Sequence, residues 1–372
     1  MTASRIRPPF RADHVGSLLR PERLAAARAG WQRGESSRKE LEAVEDDCIR
    51  EAVRMQEDVG LLGVTDGDFR RDDWFLDFIT SLEGIGRGEN VFEVRFSNDV
   101  RFETKALAVT GPVRCPEGGI MVEDFEFLKS VTSRTAKVCI PAPSMLHSVI
   151  PRENIDADAY PDADALMDDV AAAFADAIAA FAGAGCTYLQ VDDVNSAVLV
   201  DENRRAMWRS LGFDPAERLD AFIRLNNAAF RSRPKAVTLV VHMCRGNYQS
   251  QWSGEGGYDR VAERYFAESD VDGFFLEYDD ARSGGFEPLR YMPKDKAVVL
   301  GLVTSKRPEL EARDELLRRI EEAARHVPLE NLCISPQCGF ASTREGNRLT
   351  EDQQRRKLEL LVDVATTVWG EV

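Results

Sequence analysis

Short apolar runs bounded by turn residues alternate along this chain with longer stretches of helical periodicity. The runs fall at 12–17 (ADHVGS), 62–68 (LGVTDGD), 137–143 (KVCIPAP), 187–193 (TYLQVDD), 237–244 (VTLVVHMC), 271–280 (VDGFFLEYDD), 296–305 (KAVVLGLVTS) and 332–338 (LCISPQC). Amphipathic stretches such as SRKELEAVEDDCIREAVRMQEDVG and DALMDDVAAAFADAIAAFAGAG separate them. Strands that are apolar on both faces and flanked by helices belong to a parallel sheet buried on both sides. Eight such units predict an α/β fold, a single closed (β/α)8 TIM barrel forming one domain over 1–372. A doubly wound open sheet is the alternative, but no GxGxxG follows an early strand. The stretch 83–130 breaks the repeat. Its alternating sequence, EGIGRGENVFEVRFSNDVRFETKALAVTG, reads as a β-rich insertion after the second strand. The segment 18–60 is longer than one helix and predicts extra N-terminal helices.

Polar exceptions to this pattern collect at the C-terminal ends of the predicted strands, where such barrels carry their functional groups. They are His14 and Ser17, Asp66 and Asp68, Asp192 and Asp193, His242 and Cys244, Glu277 with Asp279 and Asp280, Thr304 and Ser305, and Cys338. One acidic residue at a strand end is commonly a helix N-cap. Recurrence over the whole set predicts a single acidic mouth. His242 and Cys244 lie two apart on a strand, so both point the same way. Cys338 arrives from a distant strand end, between Pro336 and Gly339. An imidazole and two thiolates brought together form a soft donor set that suits zinc. Glu277, at the next strand end, is the predicted fourth ligand. Asp279 is the alternative, and Asp280 reads as a cap for the following turn. The plainer possibilities are a core histidine beside buried thiols, and a Glu277 paired with Arg245 or Arg282.

Composition narrows the partners. The chain has 372 residues, 44% hydrophobic and 30% charged, with a formal net charge of -16. That charge repels nucleic acid and anionic membranes, so neither is expected as a partner. No run reaches the ~18 apolar residues that span a bilayer. The start, MTASRIRPPFRADH, lacks the apolar core of a secretory signal. The seven cysteines then read as reduced thiols of a cytoplasmic protein. The acidic surface marks no interface, and the oligomeric state stays open.

The donor set also restricts the reaction. Two thiolates, a neutral imidazole and a carboxylate leave zinc a poor Lewis acid toward water. An incoming thiol is still deprotonated, and its sulfur stays nucleophilic. This favours alkyl transfer to sulfur over hydrolysis. A metal-dependent hydrolase prefers histidines and carboxylates with an open water position. Only four histidines occur, none of them in an HxH pattern. A metal-free lyase on the same barrel is the other alternative.

The segments HMC, E and CG, with HVGS near the start and VTDGDFRRDD and LQVDD between, resemble the catalytic barrel of cobalamin-independent methionine synthase. The likeness covers most of the chain and is most specific in HxC and CG. The length is that of a single-barrel relative, a form shared by epoxyalkane:coenzyme M transferase of the same superfamily. The resemblance implies zinc as cofactor, with His242, Cys244, Glu277 and Cys338 as ligands. It implies a small thiol, homocysteine above all, and an alkyl donor as the small-molecule partners. Val15, Ser17, Asp68 and Asp192 correspond to the contacts for the thiol amino acid, and Asp192 is also a catalytic candidate.

Three departures accompany the likeness. Asp68 stands where the family has a longer Glu, and Asp193-Val194 where it has Glu-Pro. The family's acid, a His in a DIHS segment, is replaced by Thr304 in LVTS. A threonine cannot donate a proton near neutral pH as a histidine does. His14 is then the candidate acid, while His147 reads as a loop or helix residue. A methylfolate, a methyl corrinoid and an epoxide remain open as donors. Weak activity with methylfolate is expected, and better activity with a donor whose leaving group needs no proton.

Overall fold

The computed structural model describes residues 7–210 and 212–372, with the side chains of His147, Ser148, Val149 and Ala163 outside the description. Its strands are β1 (Gly63–Val64), β2 (Glu83–Arg95), β3 (Arg101–Arg114), β4 (Thr135–Pro141), β5 (Tyr188–Asp192), β6 (Thr238–Met243), β7 (Gly273–Glu277), β8 (Ala297–Val303) and β9 (Leu332–Pro336). One curled parallel sheet holds seven of them in the order β1-β4-β5-β6-β7-β8-β9. Helices connect most of them and pack outside the curl.

Both faces of these strands are buried, which explains why they read as nearly continuous apolar runs. On β6, Leu239, Val241 and Met243 join the core shared with the helices. Val240 turns the other way and packs with Val15, Tyr188, Phe275, Val299 and Cys333 inside the curl. Each large apolar side chain so buried contributes roughly 1.5–3 kcal/mol. The period of two then carries the inner face upward. Above Tyr188 come Gln190 and Asp192, above Val240 come His242 and Cys244, and above Phe275 comes Glu277. The apolar plug thus supports a polar layer at the carboxyl ends of β5, β6 and β7.

The predicted first strand, 12–17, forms only one bridge, Ala12 to Ile334 of β9. Its path still runs between the sheet's two ends. The Asp13 N–H reaches Ile334 O at 3.0 Å, and the Leu18 N–H reaches Gly67 O, just beyond β1, at 3.1 Å. Side chains take the carbonyls that a neighbouring strand would otherwise use. Lys137 donates to His14 O, Gln190 to Val15 O at 2.7 Å, and Thr65 to Gly16 O at 2.6 Å. With its acceptors satisfied this way, the segment has no ladder to join on that side.

Helices Glu22–Gln32 and Arg38–Val59 precede β1. The second opens on a capping box of Ser37 and Glu40 and stops at Gly60, in the left-handed region at φ 103. The stretch 83–130 divides into an antiparallel hairpin, β2–β3, and a helix, Val122–Ser130. The hairpin tip is tied to the loop after β6. The Ser97 N–H donates to Trp252 O, and Ser97 Oγ and Asn98 Nδ2 both donate to Gln251 Oε1, each at 2.7 Å. Among the described residues, no helix is long and apolar enough to cross a membrane.

Candidate metal centre

Four side chains from three strand ends meet in one place. One donor atom each from His242, Cys244, Glu277 and Cys338 lies within 4.8 Å of the others, and all four residues are buried. The Cys244 and Cys338 sulfurs are 3.5 Å apart. Neither ring nitrogen of His242 has a hydrogen-bond partner. A buried imidazole left so is costly unless something else binds it. The four groups can together hold a metal ion.

Without an ion the two thiols share a proton. The hydrogen bond between them, in which either sulfur could be the donor, holds the Cys338 thiol well below its ordinary value and pushes Cys244 well above. Burial opposes a charge on His242, but Cys338, Asp192 and Glu277 outweigh it and raise its pKa. Glu277 is held at both oxygens. Oε1 accepts the Arg245 N–H at 2.7 Å, and Oε2 accepts Arg282 at 3.3 Å. Asp279, the alternative ligand, is instead engaged by Arg282 at 2.8 Å. Asp280 caps the turn, accepting the Arg282 N–H at 3.0 Å.

Cys338 lies two residues past β9 and needs a scaffold. The Gln337 N–H bonds to Val303 O at 2.8 Å, and Asn247 and Ser305 donate to Gly339 O at 2.8 and 2.9 Å. Asn347 links the two, donating to Asn247 Oδ1 at 2.9 Å and Ser305 O at 2.8 Å. A Cβ on Gly339 would stand 2.0 Å from Ser17 Oγ, so only glycine lets these two segments meet.

Lys306 went unrecognised in the sequence. Its Nζ is buried without a hydrogen-bond partner, and its charge favours the thiolate forms of both Cys244 and Cys338. The available signal was a lysine three residues past a strand end, in TSKRP, too common a pattern to stand out.

Asp68, Asp192, Val15 and Ser17 line the same cavity as His242, Cys244 and Cys338. Burial pushes Asp192 up to about 7, although His242 and a 2.7 Å bond from Gln190 favour its charge. Burial likewise raises Asp68, which lies 3.5 Å from Arg71. Ser17 Oγ accepts the Ala341 N–H at 3.3 Å.

His14 is not brought to this mouth. By the period of two, Val15 and Ser17 face inward and His14 faces the other way, toward Gln56 and Gly63 on the helix side. Burial, with Lys137 nearby, lowers its pKa to about 4, so it carries no proton to give near neutral pH. The structure thus places His14 apart from Val15, Ser17, Asp68 and Asp192, the residues expected beside it. Thr304 is buried in the turn after β8, its Oγ1 accepting the Lys306 N–H at 3.2 Å.

The cavity, of about 360 Å³, changes character away from the cysteines. There its wall is aromatic: Trp74 and Phe75 after β1, Phe96 and Phe102 from the hairpin, and Tyr248 after β6.

Comparison with known proteins gives this arrangement a context. A family model described as cobalamin-independent synthase, catalytic domain, matches residues 10–367. The uncharacterized protein YxjG of Bacillus subtilis (strain 168) is 46% identical over 98% of this chain and 96% of its own length. The 5-methyltetrahydropteroyltriglutamate–homocysteine methyltransferase of Synechococcus sp. (strain JA-2-3B'a(2-13)) is 24% identical over 91% of this chain, a match that spans 41% of that enzyme. The crystal structure of a putative vitamin-B12 independent methionine synthase from Listeria monocytogenes superposes with a TM-score of 0.80 at 35% identity, covering 99% of this chain and 100% of the other.

Proposed function

The chain belongs to the cobalamin-independent synthase catalytic-domain family, and from that premise we propose that it transfers a methyl group to the sulfur of a small amino-acid thiol, with homocysteine as the best-fitting acceptor. One observation carries the reading. The soft donors His242, Cys244 and Cys338 open into the same cavity as the buried carboxylates Asp68 and Asp192.

Zinc fits the donor set. The 3.5 Å between the sulfurs falls within the ~3.3–3.8 Å edges expected of a tetrahedral zinc site, and His242 has a ring nitrogen to offer. Bound there, zinc supplies the positive charge that keeps an acceptor thiol in its thiolate form.

The chain's own residues do the rest. Asp68 and Asp192 receive the ammonium of the acceptor. Carboxylates whose charge is disfavoured by burial gain most from a cation beside them. Ser17 Oγ, already accepting from Ala341, turns its own O–H toward the acceptor's carboxylate. Val15 supplies side-chain wall, since Gln190 already occupies its carbonyl. Asp192 also orients the thiol beside His242, its neighbour across β5 and β6. Glu277 would complete the ligand set, and its bonds to Arg245 and Arg282 hold its carboxylate beside the other three donors.

The same reading extends to the frame. The segment from Phe10 to Leu18 serves as the eighth stave of one closed barrel that forms a single domain over 1–372. The β2–β3 hairpin is its insertion. Seven cysteines in a chain of this length suit a reducing, cytoplasmic setting.

Metal analysis combined with a screen of methyl donors against homocysteine tests the proposal. The expected result is one zinc per chain, with methionine formed from at least one donor. A chain that is folded yet binds neither zinc nor homocysteine overturns it.

A further inference from the structure

Resting on the thiol-methylation reading above, we propose that the methyl donor is a small methylsulfonium cation held between Asp73 and the aromatic wall of the cavity.

Charge is the first argument. Asp68, Asp73, Glu93 and Asp192 line the cavity against two basic side chains, His242 and Arg204, the latter with Asp201 beside it. Such a wall repels a polyanionic donor and attracts a cation.

Asp73 supplies the second. Its Oδ1 is used locally, accepting the N–H groups of Phe75 at 2.9 Å and Leu76 at 3.2 Å. Its Oδ2 is buried with no hydrogen-bond partner, in a residue only 6% exposed. A carboxylate oxygen left so calls for a positive group. The residues that follow, Trp74 and Phe75, are themselves part of the wall.

The rings supply the third. Trp74 and Phe75 have centroids 5.0 Å apart, Phe75 and Phe102 6.5 Å, Phe102 and Tyr248 5.5 Å, and Tyr248 and Phe96 5.4 Å. The five rings are therefore continuous. Among the described residues no Lys or Arg lies over any of them, whereas Trp208 carries Arg218 at 5.0 Å. Aromatic walls with free faces bind methylated onium cations through their ring quadrupoles. Two of the five rings come from the hairpin, whose tip Gln251 and Trp252 hold in place.

The chemistry agrees. With His14 facing the helices and Thr304 in its turn, neither is set to protonate a leaving group. A sulfonium needs no proton. The acceptor thiolate attacks the methyl carbon, a new sulfur–carbon bond forms, and the old one breaks. Its electron pair returns to the sulfonium sulfur, which departs as a neutral thioether. The negative charge of the thiolate and the positive charge of the sulfonium cancel, and no oxidant or reductant takes part.

Two measurements on the zinc-loaded chain decide it. Binding of trimethylsulfonium is followed by tryptophan fluorescence, with tert-butanol as a neutral control of similar shape. The cation should bind at least about tenfold more tightly, and Asp73→Asn and Phe102→Leu should each weaken it about tenfold, the scale of a desolvated cation–π contact. Zinc content should not change in either variant. Turnover is measured with homocysteine and dimethylsulfonioacetate, where methionine and methylthioacetate should appear in equal amounts. Methionine from methyltetrahydrofolate or methylcobalamin but not from the sulfonium overturns the donor assignment and leaves thiol methylation standing. Equal binding of cation and neutral control overturns it as well. Failure to bind zinc and homocysteine defeats the underlying reading instead.

Discussion

Arg282 reaches Glu277 Oε2 at 3.3 Å and Asp279 Oδ1 at 2.8 Å with one guanidinium, and all three side chains are almost fully buried. Arg282→Met therefore strands two buried carboxylates. Breaking such a pair costs about 3–5 kcal/mol. Urea unfolding in chelator should show a loss of this size. With zinc present the loss should be smaller, because the ion offers Glu277 a second positive neighbour.

Cys338 lies in the loop after β9, and it supplies one of the two sulfurs. Cys338→Ser replaces a soft thiolate with a hydroxyl that zinc binds poorly. Purified variant should contain well under one zinc per chain by mass-spectrometric metal analysis. Full zinc occupancy would refute the ligand assignment.

Lys306→Met removes a positive charge that favours both thiolates while keeping most of the buried apolar stem. Zinc affinity should fall about tenfold, or ~1.4 kcal/mol, in competition with a chromophoric chelator. An unchanged affinity would show that the ammonium does not act on the sulfurs.

Burial raises Asp73 to about 7, with Asp77 adding to the shift while Arg20 and the Phe75 and Leu76 N–H groups oppose it. Between the unfolded value near ~4 and about 7, the folded chain keeps a proton that the unfolded chain has lost. The Asp73 contribution to stability therefore falls as pH rises through that window and is level above it. Asp73→Asn should be more stable than the parent at pH 8, by roughly 4 kcal/mol at most, and the difference should shrink to about 1 kcal/mol at pH 4.5. Thermal unfolding at the two values tests the sign. A bound cation should favour the ionised carboxylate and move the midpoint down.

Methyltetrahydrofolate should be a poor donor, because its amine leaves badly without a proton and neither His14 nor Thr304 supplies one. Steady-state turnover should stay below about 1 s⁻¹, under the range of typical enzymes. Faster methionine formation would show that another group delivers the proton.

The cluster of four side chains that could hold a metal was legible in the sequence because it follows local periodicity. His242 and Cys244 share a face by the period of two, and Glu277 ends the neighbouring strand. The same rule separates His14 from its neighbours: a residue between Val15 and Ser17 faces the other side of an extended chain. Strand 12–17 was overread because its apolar pattern does not disclose that Lys137, Gln190 and Thr65 take its carbonyls. Arg245 and Arg282 were legible as possible partners of Glu277, and both bond to it. Lys306 was opaque for another reason, since its role comes from Cys244 and Cys338, distant in the chain. The aromatic wall draws on three separate segments, and no single stretch of sequence announces it.

The β2–β3 hairpin contributes Phe96 and Phe102 to the cavity but none of the metal ligands. Part of the proposed donor pocket is consequently encoded apart from the four candidate ligands. Residues 83–114 can drift, be exchanged or be redesigned without touching the four ligands. Relatives that keep the ligands and rewrite the hairpin should share one acceptor chemistry while drawing their methyl groups from different molecules. Grafting the hairpin between two such relatives should carry donor preference with it.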